Sequence, residues 1–246
     1  MIGLMTRAVR VSDDMVNIPE SLVKTVADVI AVAWRQLLTE HGHEEFCSFV
    51  EDQITERLYM VLGEIEGQPV EELRDLALLQ SPVRDGKVRN YNNKHPDKMP
   101  DLAYRPAKGS LGNVGNTATA ALFIECKPID QTRPVGSTYC KKGLIRFVNG
   151  DYSWRVNKAM MIGYVRNISK LPASLQKVLA DPAMGNQLGY SGELQQEYNT
   201  IKGDSIWSSY HSRSFQINNA DVDDIKVVHL WLYPNKPCEE CASRGG

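Results

Sequence analysis

Residues Thr119 to Lys127 read TAALFIECK, a run of small and apolar side chains that stops abruptly at Glu125 and Lys127. Nothing else in the chain constrains its fold as tightly, because a short apolar run ending in charge is how a buried strand looks where it emerges. Alternate side chains of a strand share a face, so Glu125 and Lys127 are expected on one side and Cys126 on the other. At ~3.3 Å per residue an acid and an amine are then held about 7 Å apart on a rigid element.

Upstream, Asp101 heads a second extended segment, Asp101 to Arg105, with Pro100 blocking a helix at its start. If the two segments pair antiparallel, Asp101 comes beside Glu125, and two carboxylates and a lysine surround one point. Hard divalent cations favour such oxygen-rich surroundings, Mg²⁺ especially, which is usually held by one or two carboxylates with waters and phosphate oxygens. The Cys126 carbonyl, lying between the two side chains, is a candidate further ligand. Lys127 is then placed to orient or deprotonate a water at the ion.

Pro100-Asp101 followed by Glu125-Cys126-Lys127 resembles the PD-(D/E)XK nuclease superfamily, over about residues 43–167. The resemblance implies a restriction-endonuclease-like α/β fold, a mixed β-sheet flanked by helices. It also implies Mg²⁺-dependent endonucleolytic cleavage of DNA, with Mn²⁺ as a substitute ion and restriction or phage defence as the setting. On it, Asp101, Glu125 and Lys127 are catalytic, and Asp101, Glu125 and the Cys126 carbonyl hold the metal. Many members add an acid from the first core helix, and Glu51 is the candidate here. Replacing Asp101 or Lys127 by Ala is expected to abolish cleavage and leave folding intact. Two other readings stand beside this one: a subunit that binds nucleic acid or assembles without turnover, and a nuclease directed at RNA.

Charge distribution bears on the partner. The chain of 246 residues has a formal net charge of −2, which by itself does not suggest a polyanion as ligand. Residues 1–83 carry 6 Lys+Arg against 15 Asp+Glu, residues 84–170 carry 16 against 6, and residues 171–246 carry 6 against 9. The basic third is the one with the motif, as expected where a phosphate backbone docks. The competing account is that it packs against the acidic third. Arg89 and Lys94 lie in a polar basic loop, and Lys141, Lys142, Arg146 and Asn149 lie on an expected helix with Leu144, Phe147 and Val148 inward. These are the candidate nucleic-acid contacts, with Lys142, Arg146 and Asn149 on one polar face. A second copy of the chain or a defence-system protein is a further expected partner.

Helical spacing predicts one helix over about 21–40, capped by Ser21, and a second over about 44–62 with Cys47, Val50, Ile54, Leu58 and Val61 on its apolar face. Glu51 falls inside that stripe, where a carboxylate is costly unless paired or coordinated; a salt bridge at the stripe's edge explains it equally well. Residues 70–79 form a helical connector, and Pro82 to Val88 a hairpin about Asp85-Gly86. The Gly- and Asn-rich stretch 106–116 lacks the Lys-Ser/Thr of a phosphate-binding loop and is expected to be a loop near the metal or a spacer. Met160 to Val165 is a buried strand, 169–179 a helix, 180–210 irregular, and His211 to Ile217 and Ile225 to Tyr233 are closing strands. Trp207 and Tyr210 are expected to anchor packing, with base stacking as the alternative.

The whole is expected to be one domain, with 168–246 as its C-terminal elaboration. No apolar run approaches the ~18 residues of a membrane span, and no signal peptide opens the chain, so a cytoplasmic protein with no membrane contact is expected. Five dispersed cysteines form no disulfide framework, which fits a reducing compartment. His41 and His43 are expected to be solvated, His95 to lie at the surface, and His229 to pack or lie at an edge. Cys238 and Cys241 supply half of a zinc ligand set with no second pair.

Overall fold

A computed structural model describes residues 15–66, 71–88, 90–92, 94, 98–107, 119–166 and 171–235. They form a mixed α/β fold around a seven-stranded sheet flanked by helices. Among the described residues no helix is long and apolar enough to cross a membrane.

Helix α1 (Glu20–Glu40) follows extended Pro19 rather than a capping side chain, so Ser21 does not cap it; it lies within the first turn. Val23, Ala27, Ile30 and Trp34 form one buried stripe, and Val29 and Ala31 are buried to either side of it, because α1 lies between the sheet and further helix. The expected second helix is two, α2 (His43–Ser48) and α3 (Glu51–Glu66), separated by extended Phe49. Val50 falls in that break and is exposed rather than on the apolar face, while Ile54, Leu58 and Val61 are buried as the spacing predicts. A 3₁₀ segment, Glu71–Leu78, stands where the connector is expected.

The sheet begins with β1 (Val83–Arg84), β2 (Leu102–Tyr104) and β3 (Leu122–Ile129). Val83 and Arg84 pair with Ala103 and Leu102, so the expected tight hairpin around Asp85-Gly86 is a wider excursion. Asp85 does turn the chain, at φ 50°. Strand β2 pairs antiparallel with β3, Leu102 opposite Ile124. Beyond β3 a π-helical segment, Val135–Leu144, runs into α4 (Ile145–Val148), which returns the chain to β4 (Lys158–Val165) parallel to β3. Parallel neighbours require such a crossover, and both strands are buried along their length, as a sheet covered on two faces demands.

Alternation in β4 shows the two layers. Tyr164 stacks on Trp34 of α1 at 5.7 Å and shares a 3.0 Å hydrogen bond with Thr55 of α3. Three residues earlier, on the opposite face, the Met161 side chain lies against Gly143 of the π-helical segment.

The stretch expected to be irregular, 180–210, is ordered: α5 (Leu171–Ala180) is followed by α6 (Pro182–Gln187), β5 (Tyr190–Asn199) and β6 (Ser205–His211). Strand β5 reads YSGELQQEYN, polar and mostly exposed, so periodicity conceals it; backbone pairing with β6 defines it. The first closing strand lies earlier than expected, in β6, with a two-residue hairpin of β7 (Gln216–Ile217) and β8 (Ala220–Asp221) after it. The last, β9 (Ile225–Leu232), is buried throughout and joins β4 to β6. Trp207 is part-buried near Trp231 at 6.4 Å, whereas Tyr210 is exposed.

Cys126 and Cys140 are free buried thiols, as expected where no disulfide framework forms, but Cys47 is disulfide-bonded, which does not fit the reducing compartment read from the cysteines. Arg89, His95, the stretch 108–116, Cys238 and Cys241 lie outside the described residues.

Candidate active site

Because Leu102 stands opposite Ile124 in an antiparallel pair, Asp101 arrives level with Glu125. The Asp101 carboxylate then accepts the backbone N–H of Cys126 at 2.6 Å, which fixes it to the strand. Glu125 and Lys127 share the face towards Gly143, and Cys126 turns to the other, towards Tyr164. From α3, Glu51 reaches the same point.

Lys127 is the hub. Its Nζ lies 2.5 Å from Glu51 Oε1, 2.9 Å from Glu125 Oε1 and 3.8 Å from Asp101 Oδ2, and it donates to the Cys126 carbonyl at 2.8 Å. Glu125 is fully buried. Its Oε2 accepts the Tyr152 hydroxyl, and its Oε1 lies 3.0 Å from Arg146 Nη1. Oε1 is thus held between two cations, Lys127 and Arg146.

Burial, and then the neighbouring Glu125, push the Asp101 carboxyl up to about 7, against the pull of Lys127 and the Cys126 amide. Burial likewise raises Glu125, outweighing the Lys127 and Arg146 cations and the Tyr152 hydroxyl. Burial works to lower Lys127, but Glu125, Asp101 and Glu51 together overcome it and hold the ammonium above the ordinary lysine value. In these surroundings Lys127 is a charged donor. Because the ammonium neutralises three converging carboxylates, its removal is expected to cost stability as well.

Glu51 occupies the first turn of α3 and is half-buried, so the ion-pair account and the site account of this residue coincide. Arg146 departs from its expected place: it turns from the polar face to Glu125, leaving Lys142 and Asn149 exposed with Lys141 nearby. Lys94 is exposed. Tyr152 is the residue that sequence reasoning missed. It follows a turn at Gly150, with φ 72°, and no spacing links it to Glu125.

Among the described residues no group of three or more His, Cys, Asp or Glu side chains is disposed to hold a metal ion. Lys127 Nζ stands where the acids converge. The donor chemistry still suits a hard cation: two adjacent carboxylates, Asp101 and Glu125, and the Cys126 carbonyl between them. Compared with family models, with curated proteins and with solved structures, the chain matches none.

Proposed function

We propose that the protein is a metal-dependent endonuclease of restriction-endonuclease-like fold that hydrolyses phosphodiester bonds in DNA. The observation that carries this is the meeting of Asp101 and Glu125, from two paired strands, within 4 Å of the Lys127 ammonium. Asp101, Glu125 and the Cys126 carbonyl would hold Mg²⁺ or Mn²⁺, with Glu51 at the rim. When bound, the ion would acidify a water and offset charge on the phosphate.

The chain's own groups have separable tasks in this scheme. Asp101, near neutrality in its proton affinity, must be ionised to ligate. Lys127 orients the attacking water or a phosphate oxygen by donation. Tyr152 and Arg146 hold Glu125, and Arg146, its side chain 39% exposed, also reaches the approach to the site. Lys141, Lys142, Asn149 and Lys94 present exposed donors to a backbone.

Supercoiled and linear DNA are incubated with the protein in Mg²⁺, in Mn²⁺ and in chelator. The enzyme nicks or degrades DNA only with metal, and Asp101→Asn does not. One observation favours a second reading, a binding subunit without turnover: Lys127 already satisfies the carboxylates that an ion would need. Such a protein retards DNA in a gel with or without metal and leaves it intact. Side-by-side digestion of RNA distinguishes the polymer.

A further inference from the structure

The break between α2 and α3 decides where Glu51 stands; Gln53 accepts the Val50 N–H at its far side, Cys47 is disulfide-bonded at its near side, and one side chain from a distant segment bonds the backbone on both sides of it. Helix ends leave carbonyls without intrahelical partners. Here the Cys47 carbonyl accepts Arg166 Nη1 at 3.1 Å, and the Phe49 carbonyl accepts Arg166 Nη2. Arg166 itself follows β4, and its backbone N–H donates to the Ile129 carbonyl at 3.1 Å, so it is fixed at the shared end of β3 and β4. It is buried, 6% exposed.

Two residues beyond Phe49, Glu51 opens α3 with its carboxylate 2.5 Å from Lys127 Nζ. One turn later the Thr55 hydroxyl meets Tyr164 of β4, which fixes the rotation of the helix but not the position of its first residue. A planar guanidinium spans two carbonyls at once, whereas an ammonium is a point charge that does not reproduce the fork.

We propose that Arg166 is a positioning residue: by clamping the Cys47 and Phe49 carbonyls it sets the start of α3 and so delivers Glu51 to Lys127. This rests on the nuclease reading only where cleavage is the measurement.

The test is a double-substitution cycle of Arg166→Lys and Glu51→Gln in the full chain, read by urea midpoint and by metal-dependent DNA cleavage. Supporting groups of this kind typically carry 10- to 100-fold in activity, so Arg166→Lys is expected to lower cleavage by roughly that factor. The double variant is then no slower than the slower single one, and the midpoint shift caused by Glu51→Gln, of whichever sign, shrinks when Arg166 is Lys. Midpoint shifts that simply add, or wild-type cleavage by Arg166→Lys, overturn the proposal, because uncoupled sites are additive. Should Arg166→Lys not fold, Arg166→Gln, donating to one carbonyl, enters the same cycle. If the wild type cleaves nothing with either metal, the nuclease reading falls and the midpoint cycle alone decides the role of Arg166.

Discussion

The Asp101 carboxylate accepts the Cys126 amide at 2.6 Å, so a side chain that heads one strand is bonded to the backbone of the next. Orientation of the acid is therefore built into the sheet. Asp101→Asn keeps an acceptor for that amide, whereas Asp101→Ala leaves a part-buried N–H unpaired, at a cost of about 1–3 kcal/mol. Both variants are expected to lose cleavage, and only the Ala variant to lose this stability. Denaturant titrations beside nicking assays check the difference.

A raised acid makes stability depend on pH in an uncommon direction. The Asp101 carboxyl titrates near 3.8 unfolded and about 7 folded, so the folded state binds its proton more tightly between those values. Its contribution to stability is greatest below about pH 4 and declines until about pH 7, by at most about 4 kcal/mol. Glu125, also raised, acts in the same sense. Wild type minus Asp101→Asn, measured by urea unfolding from pH 4 to 8, should give a falling curve that levels near neutrality. Cleavage should rise over the same interval as Asp101 ionises.

Removing Lys127 exposes the mutual repulsion it suppresses. Lys127→Met is expected to cost about 3–5 kcal/mol at pH 8, the range for breaking a buried ion pair. The loss is smaller at pH 5, where Asp101 carries its proton. A pH-independent loss in thermal or urea unfolding contradicts the arrangement of acids around this ammonium.

Tyr152 donates to Glu125 Oε2, and both are buried. Tyr152→Phe removes the donor and strands the carboxylate oxygen, costing about 1–3 kcal/mol. The hydroxyl also favours the ionised acid. The acidic limb of the pH–rate profile should therefore move to higher pH in the variant. An unmoved limb means Tyr152 supports packing alone.

Arg146 and Lys142 are expected to part company in salt. Lys142→Ala should weaken DNA binding and reduce the slope of log K against log salt by about 1, the signature of one phosphate contact. Arg146→Met, acting at Glu125, should lower turnover more than affinity. Equal changes in slope for the two place both on the backbone.

The parts of the fold that could be read from sequence are those whose burial follows a simple period. Helix α1 and strands β3, β4 and β9 carry apolar runs or stripes that sheet and helix geometry require. Strand β5 could not be read, because only Leu194 and two tyrosines interrupt its polar and small residues and its definition comes from β6. The α2–α3 break was hidden for a related reason: Cys47, Ile54 and Leu58 keep helical spacing across it, while the carbonyls that Arg166 clamps leave no trace in side-chain pattern. At the site, Asp101 and Glu125 were brought together by strand register, which follows from pairing. Tyr152 and the inward turn of Arg146 depend on where a loop returns the chain, and spacing carries no information about that.

The π-helical segment has a consequence for tolerance to length change. A wider turn, with the Ile145 N–H bonded back to the Cys140 carbonyl, carries one residue more than α geometry would. Deleting a single residue between Val135 and Leu144 would let it tighten into ordinary helix and swing what precedes the cut by about 100°. For a cut just before Leu144, Leu144 and Phe147 could keep their seats, but Lys141 and Lys142 would move round the cylinder together with the buried Tyr139 and Cys140. A length change here would thus disturb the interior along with the outer charge, because Tyr139 on the same cylinder shares a 2.9 Å hydrogen bond with His229 of β9.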